Sequence, residues 1–338
     1  MSSVLGKSKV VVDFGSTYFT IFSEGRLLLR KPSAVILKKS LRPCLISAGE
    51  EAVKRMYDVT GEELFIFPIR KGAVVHREGC VLMIREYLRL ACGKRPLSLC
   101  VLVGCGLSPE QRLDIEKVFL QAGFTDIFLM ESLWGLKPSC ERFGIKAGLI
   151  IGGENTEIGI FEGGKPVIAY SLDVGGATIN ARIKDFVRDN YKIVISEESA
   201  ERLKRDAASL YEDDTTKIFV SGKDVLTGRI KKIGIGAKEL YPEAVYVFAR
   251  ILKVLSACLI SAPAETVQSV EKTGILIAGY GSLFSGVSDY FASNLEVPVY
   301  VARVEDRLPF VGAEILASDE SFVADYLNLR KSTERPSV

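Results

Sequence analysis

Hydrophobic runs broken by glycine and polar residues recur three times along the chain. Leu149 to Ile160, LIIGGENTEIGI, reads as a strand, a tight glycine turn that bares backbone N–H groups, and a returning strand. Val10 to Phe22, VVVDFGSTYFTIF, has the same form, and a related glycine turn stands in Gly274 to Gly286, GILIAGYGSLFSG. One glycine pair in a strand pattern is ordinarily a plain hairpin. Three in this order and spacing predict two halves, each opening with a hairpin of the kind that wraps a phosphate.

Between these turns the apolar period switches between two and helical spacing. Lys9 to Phe22 and Leu27 to Leu37 predict strands, and Gly49 to Met56 a short helix. Glu78 to Ala91 predicts a helix, Pro96 to Val103 a buried strand, and Ser108-Pro109-Glu110 a helix start running to Gly123. Asp126 to Met130 is the next strand, with Glu131 and Ser132 at its end. The second half repeats the plan: hairpins over Gly148 to Leu172, a helix from about Ala177 to Asn190, a charge-rich insert to about Lys232, and helices to Ala262. A last strand, Ile275 to Ala278, leads into Gly279-Tyr280-Gly281-Ser282. Alternating strands and helices predict an α/β protein with its site at strand ends.

The chain has 338 residues, enough for two domains, with 48% hydrophobic and 25% charged residues. Its 44 basic and 42 acidic residues are interspersed, net charge +2, which argues against a nucleic-acid partner. Seven cysteines lie mostly in apolar runs with no C-x-x-C pair, and are expected to be reduced core residues of a cytoplasmic protein. No secretory signal is visible at the start. The apolar stretch Ala244 to Ala262 is interrupted by Arg250 and Lys253 and predicts a buried helix rather than a membrane span. Met1, Val4 and Leu5 beside Lys7 and Lys9 read either as a frayed terminus or as a short foot on an anionic bilayer.

Asp13 falls at a strand tip. A carboxylate there suits a hydrated Mg²⁺ held against a nucleotide phosphate, with Gly15 and the N–H groups of Ser16 and Thr17 close to that phosphate. The alternative is an Asp that only satisfies turn N–H groups.

The chain resembles the bacterial actin MreB family, a branch of the actin, sugar-kinase and heat-shock chaperone ATPase superfamily, over roughly residues 9 to 320. Carrying the resemblance are DFGST from Asp13, EGRLLLRKPSAVIL from Glu24, FPIRKGAVV from Phe67, GLSPEQRLDIEKVFLQAGFTDIFLME ending at Glu131, and GGENTEIGIFEGGKPV from Gly152. SAERLKRD from Ser199, GILIAGYGSLFSG from Gly274 and VPVYVARVEDRLPFVGAEIL from Val297 follow in order. The resemblance implies an actin-like ATPase fold: two similar domains of four subdomains around a nucleotide cleft that takes ATP or ADP with Mg²⁺. It implies a first domain over 1–144 with a subdomain insertion at about 32–68, and a second over 145–304 with an insertion at about 184–235. C-terminal helices at 305–330 would return to the first domain. Residue by residue, Asp13, Gly15, Ser16, Thr17 and Tyr18 match the first phosphate loop, with Asp13 the Mg²⁺-side carboxylate. Gly152, Gly153, Glu154, Asn155 and Thr156 match the second. Glu201, Lys204 and Asp206 match the ribose and base contacts, and Gly279, Tyr280, Gly281 and Ser282 the adenosine loop.

The departures fall where the chemistry needs the family's residues. The family's second phosphate strand ends in Asp, Ile and three glycines; here Ile150, Ile151, Gly152, Gly153 and Glu154 stand there, so the second Mg²⁺-side carboxylate is missing. Glu154 places bulk and negative charge where a third glycine would admit phosphate. The water-positioning Glu aligns with Ser132, leaving Glu131 one residue early as an imperfect base. The family's two acids after the next glycine pair are Ala177 and Asn180, and one adenosine-loop glycine is Tyr280.

These residues support an MreB-like cytoskeletal protein in cell-shape determination, with ATP binding weakened and hydrolysis impaired. It would assemble with itself or another MreB-like protein in filaments. The resemblance adds the cell-wall synthesis machinery and the inner face of the membrane as partners, the latter through residues 1–5 or the loop around Leu97. Two alternatives remain: an active Mg²⁺-dependent ATPase using Asp13 with Glu131 or Glu154, and an actin-fold adaptor like the cell-division or pilus-assembly relatives.

Overall fold

In the computed structural model, which describes residues 8–333, the chain divides into two units. One comprises the chain up to Ser139 together with the segment from Arg307 onward, and the other Cys140–Asp306.

The first unit opens with β1 (Ser8–Phe14), β2 (Tyr18–Ser23) and β3 (Arg26–Pro32). A small excursion follows: β4 (Val35–Lys38), β5 (Cys44–Ala48), α1 (Glu50–Lys54) and β6 (Glu63–Ile66). A two-residue ladder of β7 (Ile69–Arg70) and β8 (Ala73–Val74) leads into α2 (Arg77–Cys92), β9 (Leu97–Val103), α3 (Pro109–Ala122), β10 (Ile127–Glu131) and α4 (Ser132–Arg142). The main sheet runs β10-β9-β1-β2-β3, with β1, β9 and β10 parallel and the hairpin strands antiparallel. The small sheet runs β5-β4-β6.

The second unit follows the same plan. Its hairpins are β11 (Ala147–Ile151), β12 (Thr156–Glu162) and β13 (Lys165–Leu172), followed by α5 (Gly176–Tyr191). The second excursion is β14 (Ile193–Val194), α6 (Glu197–Asp206), β15 (Lys217–Asp224) and β16 (Ile230–Gly236), sheet order β14-β15-β16. Then come α7 (Ala237–Ser261), α8 (Ala264–Thr273), β17 (Ile275–Ala278), a 3₁₀ turn at Tyr280–Leu283, α9 (Val287–Leu295) and β18 (Val299–Val301). The main sheet, β13-β12-β11-β17-β18, has the topology of the first: three parallel strands, then two antiparallel ones. Finally α10 (Leu308–Ser318) and α11 (Glu320–Thr333) belong to the first unit again.

Alternation places the cores. In β1, Val10, Val12 and Phe14 face a cluster with Met83, Ile84 and Tyr87 of α2 and Phe119 of α3. Val11 faces the other way, into a cluster with Trp134, Leu316 and Tyr326, where α10 and α11 close the opposite side of the sheet. In the second unit Leu149, Ile151, Ile158 and Ile160 face α5 and α7 through Ile179, Ile183, Val247 and Phe248. Helix starts follow the sequence: Ser108 and Gln111 form the expected capping box on α3. Helix α7 is the one described helix long and apolar enough to cross a membrane, but Leu240, Val247, Ile251 and Leu255 are buried in the core of its unit.

Two expectations are corrected here. Leu97 is not a loop residue but the first of β9, paired with Ser8 and only 9% exposed, so it cannot serve as a membrane foot. Of the cysteines, Cys44 is exposed and Cys105 half-buried, while the other five are buried as expected. The Met1–Leu5 foot lies outside the described residues.

Candidate functional site

Each unit builds a four-residue turn at the tip of its first hairpin. In the first unit the ladder ends at Phe14 opposite Phe19, leaving Gly15 to Tyr18 as the turn. Gly15 is required there, because a Cβ would sit 2.3 Å from the Tyr18 carbonyl oxygen. Ser33 Oγ donates to the Gly15 carbonyl at 2.6 Å, and the Gly72 N–H donates to Ser16 Oγ at 2.8 Å, fixing the turn from both sides. Neither Ser16 nor Thr17 uses its backbone N–H in a hydrogen bond among the described residues. Tyr18 lies under the Arg30 guanidinium, 3.5 Å from ring centroid to Cζ.

Asp13 is two residues before this turn, opposite Thr20. Burial pushes its carboxyl up to about 7, against the positive charge of Arg30, which pulls the other way. A hard divalent cation would relieve that penalty, and an oxygen donor is the right type for Mg²⁺.

Glu131 ends β10 with its carboxylate already engaged. One oxygen accepts from Arg112 at 2.7 Å and from Arg330 at 3.0 Å, and its backbone N–H donates to the Tyr326 hydroxyl at 3.1 Å. Both the Arg112 and Glu131 side chains are under 10% exposed. A base role would require release from two guanidinium groups. Ser132, the neighbouring position, turns its Oγ to the Val103 carbonyl at 3.3 Å.

In the second unit the ladder ends at Ile151 opposite Thr156, and the turn is Gly152 to Asn155. The Gly152 N–H donates to the Asn155 carbonyl at 2.9 Å, and Thr156 Oγ1 donates to the Val174 carbonyl at 2.7 Å. The Gly176 and Ala177 N–H groups donate to the Gly152 and Gly153 carbonyls at 3.0 and 2.7 Å, stitching the start of α5 to the turn. Gly175 permits this approach: a Cβ there would meet both carbonyl oxygens at 2.6 and 2.7 Å. Asn155 Nδ2 lies 3.3 Å from Asp173 Oδ1, and Glu154 is half-buried.

The α6 residues divide. Lys204 Nζ donates to Glu201 at 2.5 Å and lies 3.4 Å from the Gly176 carbonyl, and Asn180 Nδ2 reaches Glu201 at 2.8 Å. Burial raises the Glu201 carboxyl, but the hydrogen bonds from Lys204 and Asn180 outweigh it and hold the group below its usual range. Asp206 is not part of this group; it pairs with Arg205 at 2.7 Å on the exposed side of the helix. The 3₁₀ turn sits on the end of β11, since Cβ atoms at Gly279 and Gly281 would lie 2.5 Å from the Ile151 oxygen and 2.2 Å from its Cγ2. Ser282 Oγ donates to the Gly279 carbonyl at 2.7 Å, and Tyr280 is 48% exposed.

Thus Gly152, Gly153, Glu201, Lys204 and the turn at 279–282 come together with Gly175, Gly176 and Asn180. Glycine N–H groups and the Lys204 ammonium suit phosphate, and Glu201 suits ribose hydroxyls. Nothing at Ile150 suits a cation. Among the described residues no group of three or more metal-type ligands exists. Sequence reasoning missed Arg30, whose charge acts on Asp13 from the neighbouring strand β3.

Comparison with known proteins agrees with this architecture. The family described as MreB/Mbl protein matches residues 7–321. The chain is 25% identical over 301 residues to the cell shape-determining protein Mbl of Bacillus subtilis (strain 168), covering 86% of this chain and 90% of that protein. It is 24% identical over 314 residues to the cell shape-determining protein MreB of Escherichia coli (strain K12), covering 89% and 90%. Among solved structures, MreB 5 of Spiroplasma citri bound to AMPPNP superposes with TM-score 0.83 at 19% identity, over 95% of this chain and 98% of that one. A MamK double helical filament gives TM-score 0.78 at 14% identity, over 92% and 99%. At these identities the structural likeness speaks for the fold.

Proposed function

This chain belongs to the MreB/Mbl protein family, and from that premise we propose that it is a cell-shape cytoskeletal protein that assembles with itself or a second MreB-like protein, binds ATP or ADP with Mg²⁺, and hydrolyses ATP poorly. The carrying observation is the combination at the strand ends. Gly15, Gly152 and Gly175 keep the close backbone approaches of the turns, whereas Ile150 stands at the second metal-side position and the Glu131 carboxylate is tied to Arg112 and Arg330. Binding needs the turns and Lys204; hydrolysis needs a positioned acid and base. When bound, Mg²⁺ would neutralise phosphate charge, and Asp13 is the carboxylate behind the first glycine turn whose chemistry suits it. Lys204 and the Gly153 N–H would hold phosphate, and Glu201 would orient ribose.

The named relatives, an Mbl and an MreB described as cell shape-determining, and the nucleotide-bound MreB 5 and filamentous MamK support this reading. We extend it to the cell-wall synthesis machinery as partner and to the inner face of the membrane as location. For the membrane the support is the apolar Met1, Val4 and Leu5 beside Lys7 and Lys9; vesicle co-sedimentation unchanged by deletion of residues 1–6 removes that anchor.

The test is a calorimetric titration of ATP with Mg²⁺ and then with EDTA, together with phosphate release. Mg²⁺-dependent binding that Asp13→Asn weakens about tenfold or more, with slow phosphate release, is the expected result. No binding at millimolar ATP overturns the nucleotide reading, and turnover of about 1 per second or faster overturns impaired hydrolysis.

A further inference from the structure

The second excursion of the second unit leaves part of a strand edge without a partner. Strand β15 is central in the order β14-β15-β16, but β14 pairs only Ile193 with Asp224 and Val194 with Lys223, whereas β16 pairs with β15 from Lys217 to Lys223. Over 217–221 one edge of β15 therefore has no strand beside it among the described residues. An open groove of about 670 Å³ follows that edge, lined by all five residues 217–221, by Ser199 and Arg202 of α6 and by Lys232 of β16. Consecutive strand residues point to opposite faces, so a groove that touches five in a row runs along the backbone rather than over one face. Helix α6 turns Ala200 and Leu203 to the core and leaves Ser199 and Arg202 as the facing wall.

We propose that this edge is a docking site for an extended acidic segment of a partner protein, added as a further strand beside β15. An unpaired edge is a template for such addition, in which main-chain groups supply the pairing and alternate side chains the specificity. The lining sets the sign of the partner. Arg202, Lys217 and Lys232 put three positive charges on the groove, and no acid lines it. Neither lysine has an ion-pair partner among the described residues, and Arg202 reaches one carboxylate, Asp206, at 3.9 Å. Phe219, 53% exposed, stands among them with the Lys232 ammonium 5.2 Å from its ring centroid. A Cβ at Gly234, opposite Phe219, would lie 2.8 Å from both Lys217 Cε and a ring carbon of Phe219, so these two side chains lean toward β16, away from the free edge. On an added strand every second side chain would share the face of Lys217, Phe219 and Ser221, with Lys232 opposite Ser221. Carboxylates toward the lysines and an apolar residue at Phe219 fit that face. A second copy pairing edge to edge would instead bring like charges together, which favours a partner of opposite sign. The site is separate from the glycine turns and does not depend on the nucleotide reading.

The test uses the full chain and a fluorescent peptide, GTETVTETG, with binding read by anisotropy at low ionic strength. Saturable binding is expected, about tenfold or more tighter than that of GTKTVTKTG. Arg202→Glu combined with Lys232→Glu should weaken the acidic peptide about tenfold or more and prefer the lysine peptide instead. Backbone pairing is read separately. The N–H groups of a strand point alternately to its two sides, so of two peptides with proline at the central valine or at the threonine before it, at least one should lose binding. No saturable binding at millimolar peptide, equal binding of the acidic and lysine peptides, or binding that survives both prolines overturns the inference. Polymer sedimentation that the double variant abolishes, with the peptide unbound by the parent chain, assigns the edge to a second copy and overturns it as well. Should the double variant fail a thermal-melt check, the lysine and proline peptides on the parent chain decide.

Discussion

The two units repeat one sheet and differ in what stands at its strand ends. The edge strand β10 of the first unit ends in buried Glu131, under α11 and against Arg112, whereas its counterpart β18 ends in Tyr300 and Val301, 50% and 36% exposed. On the hairpins the contrast reverses: the first unit has Asp13 behind its turn, and the second has Ile150. One topology thus carries two different placements of an acid, one buried and one half-buried. In one the charge is neutralised within the fold by two arginines in direct contact, and in the other it is kept beside a glycine turn, where Arg30 offsets the burial only in part.

The largest break in this comparison comes from Glu131. Glu131→Ala leaves the Arg112 guanidinium buried without its counter-charge and removes an anchor of α11, so the first unit should lose about 3–5 kcal/mol. Scanning calorimetry should show an early transition, and ATP affinity below that transition should stay within about twofold. A stability change under about 1 kcal/mol would show that the ion pair is not what holds α11.

That tie also shows where sequence reading ends. The hairpins, the α3 cap and the strand–helix alternation were legible because each is written within a dozen residues, in period, glycine and capping chemistry. Glu131 was not, because its partners Arg112 and Arg330 lie 19 and 199 residues away, and only folding brings two helices and a strand end together. Leu97 already fell inside the predicted strand Pro96 to Val103, and only its pairing with Ser8 and its burial show that the membrane role given to the loop around it does not hold. Asp206 shares a helix with Glu201 and Lys204, yet its carboxylate turns to Arg205, since five residues from Glu201 is the other side of a helix.

A second experiment compares the turns themselves. A Cβ at Gly15 would lie 2.3 Å from a carbonyl oxygen, but at Gly152 2.8 Å, so the first turn has less room to adjust. Gly15→Ala should cost about 3 kcal/mol and Gly152→Ala about 1 kcal/mol in chemical denaturation. Equal costs would mean that the two turns relax alike and that their difference lies only in the acids behind them.

The smallest effect isolates how each turn is braced. Position 19 of the first ladder is Phe and the equivalent 156 of the second is Thr, whose buried hydroxyl donates to the Val174 carbonyl at 2.7 Å. The first turn is braced instead by Ser33 Oγ on the Gly15 carbonyl at 2.6 Å. Thr156→Val keeps shape and removes one buried hydrogen bond, so it should cost about 1 kcal/mol, and Ser33→Ala should cost a similar amount. The two should differ in reach. The Val174 carbonyl is next to Gly175 and Gly176, which the turn and Lys204 share, so Thr156→Val should also weaken ATP binding about threefold. If calorimetry finds the loss of affinity with Ser33→Ala instead, the first turn, and not the second, dominates nucleotide binding.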